Sequence, residues 1–367
     1  MVQDSREEFE ELLRHCIEIG ASDLHLSAQV GHMVRLNGVL KPLTTYRMRI
    51  NLDQMVEVIM NPRQRKVFEQ EQTLDLAYAL PSGERFRVHI YRERGEAAAA
   101  VRKLESRFRT FEELSLPPQL KELSDLRDGL VLITGPTGSG KTTTLAAQIN
   151  RINMTRSCHI VTVEDPVEYL HQNIKSLVRQ RELYTDVPGF SQAVRASLRE
   201  DPDVILIGEM RDLETTRAAI TAAETGHLVF STLHTGDTVG ALDRMIGLFP
   251  GWEQESARHQ ISMVLRAVVA QRLLPSRNGN GLLPAVEILR VTPAVANLIR
   301  TGRPQQIYST IETGVAQGMQ TLEQSLAGLI RKGSITPEDA RSAARDWRTV
   351  EAHLRRGERI QESGGGM

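Results

Sequence analysis

Apolar residues recur at Phe9, Leu12, Leu13, Cys16 and Ile17, spaced i, i+3, i+4, i+7, i+8, with Gly20 just beyond. That spacing predicts one apolar stripe on a helix, and the glycine predicts its stop. The pattern then shortens to alternation in Asp23-Leu24-His25-Leu26, Met33-Val34-Arg35-Leu36 and Phe86-Arg87-Val88-His89-Ile90. Alternation of period two predicts half-buried strands, and Asn37-Gly38 after the second predicts a hairpin. Residues 1–107 therefore read as a small α+β domain around an antiparallel sheet. From 108 to 128 the pattern loosens around Pro117-Pro118, which predicts a linker.

Beyond the linker the apolar runs become continuous: Gly129-Leu-Val-Leu-Ile-Thr134, Cys158-His-Ile-Val-Thr-Val163, Val204-Ile-Leu-Ile207 and Leu228-Val-Phe-Ser231. Short buried runs separated by helical stretches predict an α/β domain over 129–290, its parallel sheet covered on both faces. Residues 255–274 and 293–345 read as helix-rich, giving a helical C-terminal region over 291–350. A tail over 351–367 follows, with a disordered end at Ser363-Gly-Gly-Gly-Met367.

Charge changes this picture little. Lys+Arg 45 against Asp+Glu 46 leaves a net charge of -1, so no global basic excess points to nucleic acid. Two cysteines, Cys16 and Cys158, exclude a disulfide scaffold, a tetracysteine zinc site and an iron–sulfur cluster. The longest apolar runs have strand length, far short of the ~20 residues of a membrane span. The acidic start shows no signal peptide. A soluble, cytoplasmic protein without direct membrane insertion is expected.

The chemistry concentrates at Gly135-Pro136-Thr137-Gly138-Ser139-Gly140-Lys141-Thr142, which fits G-x-x-x-x-G-K-[ST]. It follows a strand-like run and opens a helix-like one at Thr143, the context that this phosphate loop requires. Its backbone N–H groups would turn inward around phosphates, Lys141 would reach the β- and γ-phosphates, and the Thr142 hydroxyl would ligate Mg²⁺. Two carboxylate groups end strand-like runs: Glu209 after Val204–Ile207, expected on a strand neighbouring the phosphate loop, and Glu164-Asp165 after Val161-Thr-Val163. One carboxylate near the metal and another orienting or deprotonating water would divide the labour of hydrolysis. His227 and His234 bracket another strand. His234, expected at the ligand-binding edge of the sheet, is the better γ-phosphate sensor, and His227 the better structural residue.

These stretches form one series with Gly-Ala-Ser-Asp-Leu-His-Leu at 20–26, Val-Glu-Asp-Pro-Val-Glu at 163–168, Leu-Arg-Glu-Asp-Pro-Asp-Val-Ile-Leu-Ile-Gly-Glu-Met-Arg-Asp at 198–212 and Thr-Ala-Ala-Glu-Thr-Gly-His-Leu-Val-Phe-Ser-Thr-Leu-His-Thr at 221–235. The series resembles the secretion ATPase superfamily, and most closely the type IV pilus retraction ATPases. The resemblance covers about residues 5 to 345. It implies a PAS-like N-terminal domain joined to a RecA-like P-loop ATPase domain, six copies in a ring, using ATP and Mg²⁺. It places Glu164 in the family's Asp box, Glu209 in its Walker B box as a metal-site residue, and His227 and His234 in its His box. Glu164 or Glu209 would be the catalytic carboxylate. Arg87 and Arg102 match the family's N-terminal-domain arginines that reach nucleotide.

The implied protein is a motor for pilus retraction and twitching motility. It would be peripheral to the inner membrane at the pilus base, docked on a platform protein and accompanied by a second retraction ATPase. The chain lacks the long N-terminal region and tetracysteine element of the assembly ATPases. It also departs from the retraction family at Ala296, where the C-terminal helix motif carries arginine. The alternatives are an accessory, PilU-like retraction ATPase, a secretion or DNA-transport ring ATPase, and a non-hydrolysing regulatory subunit.

Overall fold

The computed structural model describes residues 2–28, 31–46, 51–105, 107–279 and 281–364. The chain divides into two compact units. The first holds Met1–Arg107, Val163–His171 and Gln180–Ala193, and the second Phe108–Thr162, Gln172–Arg179 and Val194–Met367.

In the first unit, α1 (Val2–Glu18) buries Phe9, Leu12, Leu13 and Cys16, and Gly20 follows with a φ of 73°. The strands β1 (Asp23–Ser27), β2 (Met33–Leu36) and β3 (Val39–Pro42) come next. Asn37 and Gly38, with φ of 49° and 80°, make the tight turn between β2 and β3. Two positive φ values in succession match the right-handed twist of a hairpin, which is why Asn-Gly occupies this turn. Helices α2 (Leu52–Ile59) and α3 (Pro62–Glu71) lead to β4 (Thr73–Ala79), β5 (Arg85–Glu93) and β6 (Glu96–Lys103). The six strands lie in the order β3-β2-β1-β6-β5-β4, every pair antiparallel. One face carries Leu24, Leu26, Leu76, Val88 and Ile90 into a core shared with α1 and α2.

The second unit is built on β7 (Gly129–Thr134), α4 (Lys141–Thr155), the start of β8 (His159–Glu164), the first half of β9 (Leu177–Glu182), the last half of α5 (Phe190–Ser197), β10 (Val204–Ile207), α6 (Leu213–Glu224), β11 (Leu228–Leu233), α7 (Thr238–Gly247) and α8 (Gln254–Val264). It continues through β12 (Leu265–Pro275), β13 (Leu282–Arg290), α9 (Pro293–Arg300), α10 (Pro304–Thr313), α11 (Leu322–Arg331), α12 (Pro337–Ala343) and α13 (Trp347–Gly364). The sheet order is β13-β12-β7-β11-β10-β8-β9. β12, β7, β11 and β10 run parallel, and β13 turns back antiparallel on β12. Every residue of β7, β10 and β11 is buried, as expected of strands covered on both faces.

Four expectations change. β10 is not a neighbour of β7, because β11 lies between them; crossovers of parallel strands can skip a place that a linear pattern does not record. Residues 265–274 are strand and not helix. Their mixed run of Leu, Ala, Val and Gln suits either state, and burial between β7 and β13 selects the extended one. The segment 108–128 is no free linker, since Phe111, Leu116, Leu120 and Leu123 insert into the core beneath β7 and α4. Most of the stretch read as a tail continues α13 to Gly364, while the rest of the expected disordered end, 365–367, lies outside the described residues. Among the described residues no helix is long and apolar enough to cross a membrane.

Candidate functional site

The loop from Gly135 to Gly140 joins β7 to α4 and lies against β12. Gly135, Gly138 and Gly140 have φ of 150°, 78° and 83°. A Cβ on Gly135 would stand 2.3 Å from the Gln271 carbonyl oxygen and 2.5 Å from Ser139 Oγ, and one on Gly140 would stand 2.8 Å from Gln271 Nε2. The first and last glycines therefore permit a close approach, whereas Gly138 meets nothing and answers to φ alone. Gly140 caps α4 without a side-chain hydrogen bond, so the first-turn N–H groups and the positive helix end face the loop.

Gln271 braces this loop from the middle of β12. It is buried, its Nε2 donates to Ser139 O at 2.6 Å, and its Oε1 accepts from Thr144 Oγ1 at 2.8 Å. Lys141 is also buried, with Nζ donating to the carbonyls of Gly135 (2.9 Å) and Pro136 (3.0 Å). Burial lowers its ammonium below the ordinary lysine value, and the Glu209 carboxylate opposes that shift. Ser139 is buried, and its Oγ has no hydrogen-bond partner among the described residues. An orphaned hydroxyl, a lysine spending its protons on loop carbonyls and a helix N-terminus together suit the oxygens of a phosphate chain. Pro136, Thr137 and Gly138 are exposed at the loop tip, and Thr142 and Thr143 are half-buried in the first turn of α4.

Beyond the strand ends, Glu209 follows β10 and His234 follows β11. His234 Nε2 lies 3.1 Å from Glu209 Oε1, and Arg211 Nε lies 2.9 Å from Glu209 Oε2. Thr232 Oγ1 donates to Gly208 O at 2.6 Å, which fixes the backbone before Glu209. Thr134 Oγ1, at the end of β7, accepts from Thr235 N at 3.0 Å and so fixes the backbone after His234. His227 lies before β11, its Nδ1 2.9 Å from Ala222 O and 3.1 Å from Thr225 Oγ1.

The other expected residues belong to the first unit. Glu164 ends β8, is buried, and accepts from Gln180 Nε2 at 3.1 Å. Arg87 binds Asp75 through Nε at 2.9 Å and Glu168 through Nη1 at 3.4 Å. Burial alone would lower its pKa, but Asp75 and Glu168 outweigh it and raise the guanidinium. Burial raises the Glu168 carboxyl, against the charges of Arg87 and Arg102. Arg102 extends into solvent, with its side chain 71% exposed and Nε 2.7 Å from Asp23 Oδ1.

Gln271 was not singled out from the sequence. Its signal was a lone amide in the apolar run Ala267-Val-Val-Ala-Gln271, a polar group that burial obliges to find partners. Asp75 and Glu168, the anchors of Arg87, gave no comparable signal, because exposed and buried carboxylates look alike in one sequence.

Loop, helix and parallel strands define a P-loop nucleotide-binding protein of the α/β class. Residues 6–281 match the family model described as type II/IV secretion system protein, and the chain belongs to that family. It is 46% identical over 343 residues to the type IV pilus retraction ATPase PilT of Pseudomonas aeruginosa, covering 91% of this chain and 97% of that one. It is 39% identical over 336 residues to the type IV pilus ATPase PilU of the same organism, covering 91% of this chain and 87% of the relative. The crystal structure of the pilus retraction motor PilT with bound ADP superposes with a TM-score of 0.83 at 42% identity, over 94% of this chain and 98% of that one.

Proposed function

We propose that this chain is the Mg²⁺-dependent ATPase that powers type IV pilus retraction. It works as a homo-hexamer at the cytoplasmic face of the inner membrane, where it drives pilin depolymerisation and twitching motility. The observation that carries the reading is the braced P-loop in one unit with the Glu209–His234 pair at 3.1 Å. Near full-length similarity to a retraction ATPase supports the particular work, and 46% identity to PilT against 39% to PilU favours the principal motor over the accessory one.

In this reading the loop N–H groups and Ser139 hold the phosphate oxygens, and Lys141 exchanges its carbonyl partners for the β- and γ-phosphates. Thr142 and Glu209 are the donors assigned to Mg²⁺, which would neutralise phosphate charge and arrive with the nucleotide. His234 senses the γ-phosphate through its contact with Glu209. The general base is Glu209 or Glu164, orienting and deprotonating the attacking water. Arg87 and Arg102 supply guanidinium charge to the phosphoryl group in the transition state. The partners are an inner-membrane platform protein and a second retraction ATPase.

Hydrolysis by the purified protein tests the chemistry. Glu209→Gln is expected to keep ADP binding and lose hydrolysis by about 100-fold or more, with Glu164→Gln assayed alongside to decide which carboxylate is the base. Full hydrolysis by both variants would overturn the assignment.

A further inference from the structure

Two glutamates in the second unit, Glu287 on β13 and Glu323 on α11, are fully buried, and the hydrolysis described above uses neither. A buried carboxylate is costly unless donors surround it, so the donors show what each one holds. Glu287 Oε1 accepts from the N–H of Thr238 at 2.9 Å and from its hydroxyl at 2.7 Å. Thr238 opens α7, four residues after His234. The other oxygen, Oε2, accepts from Arg345 Nη2 at 2.7 Å.

Arg345 lies between α12 and α13, and its position is fixed in turn. Its backbone N–H donates to Glu323 Oε1 at 3.2 Å, Tyr308 OH donates to Glu323 Oε2 at 2.6 Å, and its guanidinium sits 5.6 Å from the Tyr308 ring centroid. Arg272, next to the P-loop brace Gln271, runs between the two segments. Its Nη1 donates to Ala343 O at 2.9 Å, while its Nη2 lies 3.5 Å from where a Cβ on Gly236 would stand. The segment 234–238 is thus held by Thr134 at one end and, through Glu287, by Arg345 at the other.

We infer that Glu287 and Arg345 are positioning residues for His234, so that the C-terminal helices set its alignment with Glu209. The inference rests on the functional reading above. Glu287 has two of its three donors on Thr238. Movement of the 234–238 segment would therefore strip a buried carboxylate, and withdrawal of Arg345 would free the segment to shift. No ligand contact is required of either residue.

The test is steady-state ATP hydrolysis and fluorescent-ADP binding by wild type, Arg345→Met, Arg345→Lys, His234→Ala and the Arg345→Met/His234→Ala double variant. Arg345→Met should lower kcat roughly tenfold or more, as small misalignments do, with ADP affinity unchanged and most activity restored in Arg345→Lys. The double variant should be no slower than His234→Ala, because the two changes remove one alignment. If Arg345→Met does not fold, Tyr308→Phe replaces it. That variant keeps the ring, loses the donor to Glu323, and should lower kcat only when His234 is present. Independent, multiplying losses, or an ADP affinity that falls with kcat, would overturn the inference while leaving the functional reading standing. A wild-type protein that hydrolyses no ATP would remove that reading instead, and this one with it.

Discussion

Replacing Gln271 by leucine keeps roughly the same volume in β12 and removes both braces on the P-loop. The Ser139 carbonyl loses its 2.6 Å donor and the Thr144 hydroxyl its 2.8 Å acceptor, both in a buried setting. A buried polar group left without its partner costs about 1–3 kcal/mol, so two set a range of roughly 2–6. The Thr144 hydroxyl can turn back to the carbonyl four residues earlier, as helical threonines do, which leaves the Ser139 carbonyl as the unpartnered group and brings the expected loss to roughly 1–3 kcal/mol. Part falls on global stability and part on the order of the loop. Every 1.4 kcal/mol that falls on the loop weakens nucleotide binding about tenfold. Titration of a fluorescent ADP analogue should therefore show affinity reduced about tenfold or more, and urea unfolding should show a lower midpoint. Gln271→Glu is the companion: it keeps an acceptor for Thr144 but turns an anion toward the Ser139 carbonyl, and should bind at least as weakly. ADP affinity within about twofold of wild type and an unchanged midpoint in Gln271→Leu would show that the brace does not hold the loop.

Two further outcomes follow from the same structure. Gly135→Ala should abolish ADP binding in a titration, since its Cβ would meet the Gln271 carbonyl at 2.3 Å and the backbone there has φ of 150°; binding like wild type would show that the loop relaxes freely. His89 and Asp75 predict a pH-dependent contribution to stability in the first unit. Burial would raise the Asp75 carboxyl, but hydrogen bonds from His89 and Arg87 hold it at about 2, and the same contact with Asp75 raises the His89 imidazole above its ordinary 6.5. A raised His89 contributes stability that is complete below 6.5 and lost as pH rises through its folded value, while Asp75 contributes above 3.8 and loses it as pH falls toward 2. The difference in urea-unfolding free energy between wild type and His89→Ala should therefore be largest between about pH 4 and 6.5 and shrink as the pH rises beyond that window. A difference constant across that range would contradict the pairing.

What the sequence made legible was local. The glycine spacing before Lys141 requires a backbone that only glycine adopts there, and Asn37-Gly38 has few alternatives to a tight turn. The four continuous apolar runs needed burial on both faces, and β7, β8, β10 and β11 are built on them. Non-local facts were not written in the pattern. That β11 separates β7 from β10 depends on how crossovers pass over the sheet. Gln271 lies more than one hundred residues from the loop it braces, within a run whose composition suits helix as well as strand. The prolines at 117–118 suggested a break, yet Leu116, Leu120 and Leu123 around them are core residues. Glu164 ends β8 and Glu209 lies just beyond β10, but Glu164 groups with the first unit through the segment Val163–His171, an excursion that no periodicity announces.

The proposed work of this chain is to shorten pili by ATP hydrolysis. It is tested most directly by counting surface pili and measuring twitching motility in the host with this gene deleted, complemented by wild type or by Glu209→Gln. Excess pili and lost motility are expected in the deletion strain, both corrected by wild type and neither by Glu209→Gln. Absent pili would point to assembly, and unchanged pili with normal motility would contradict the retraction account outright.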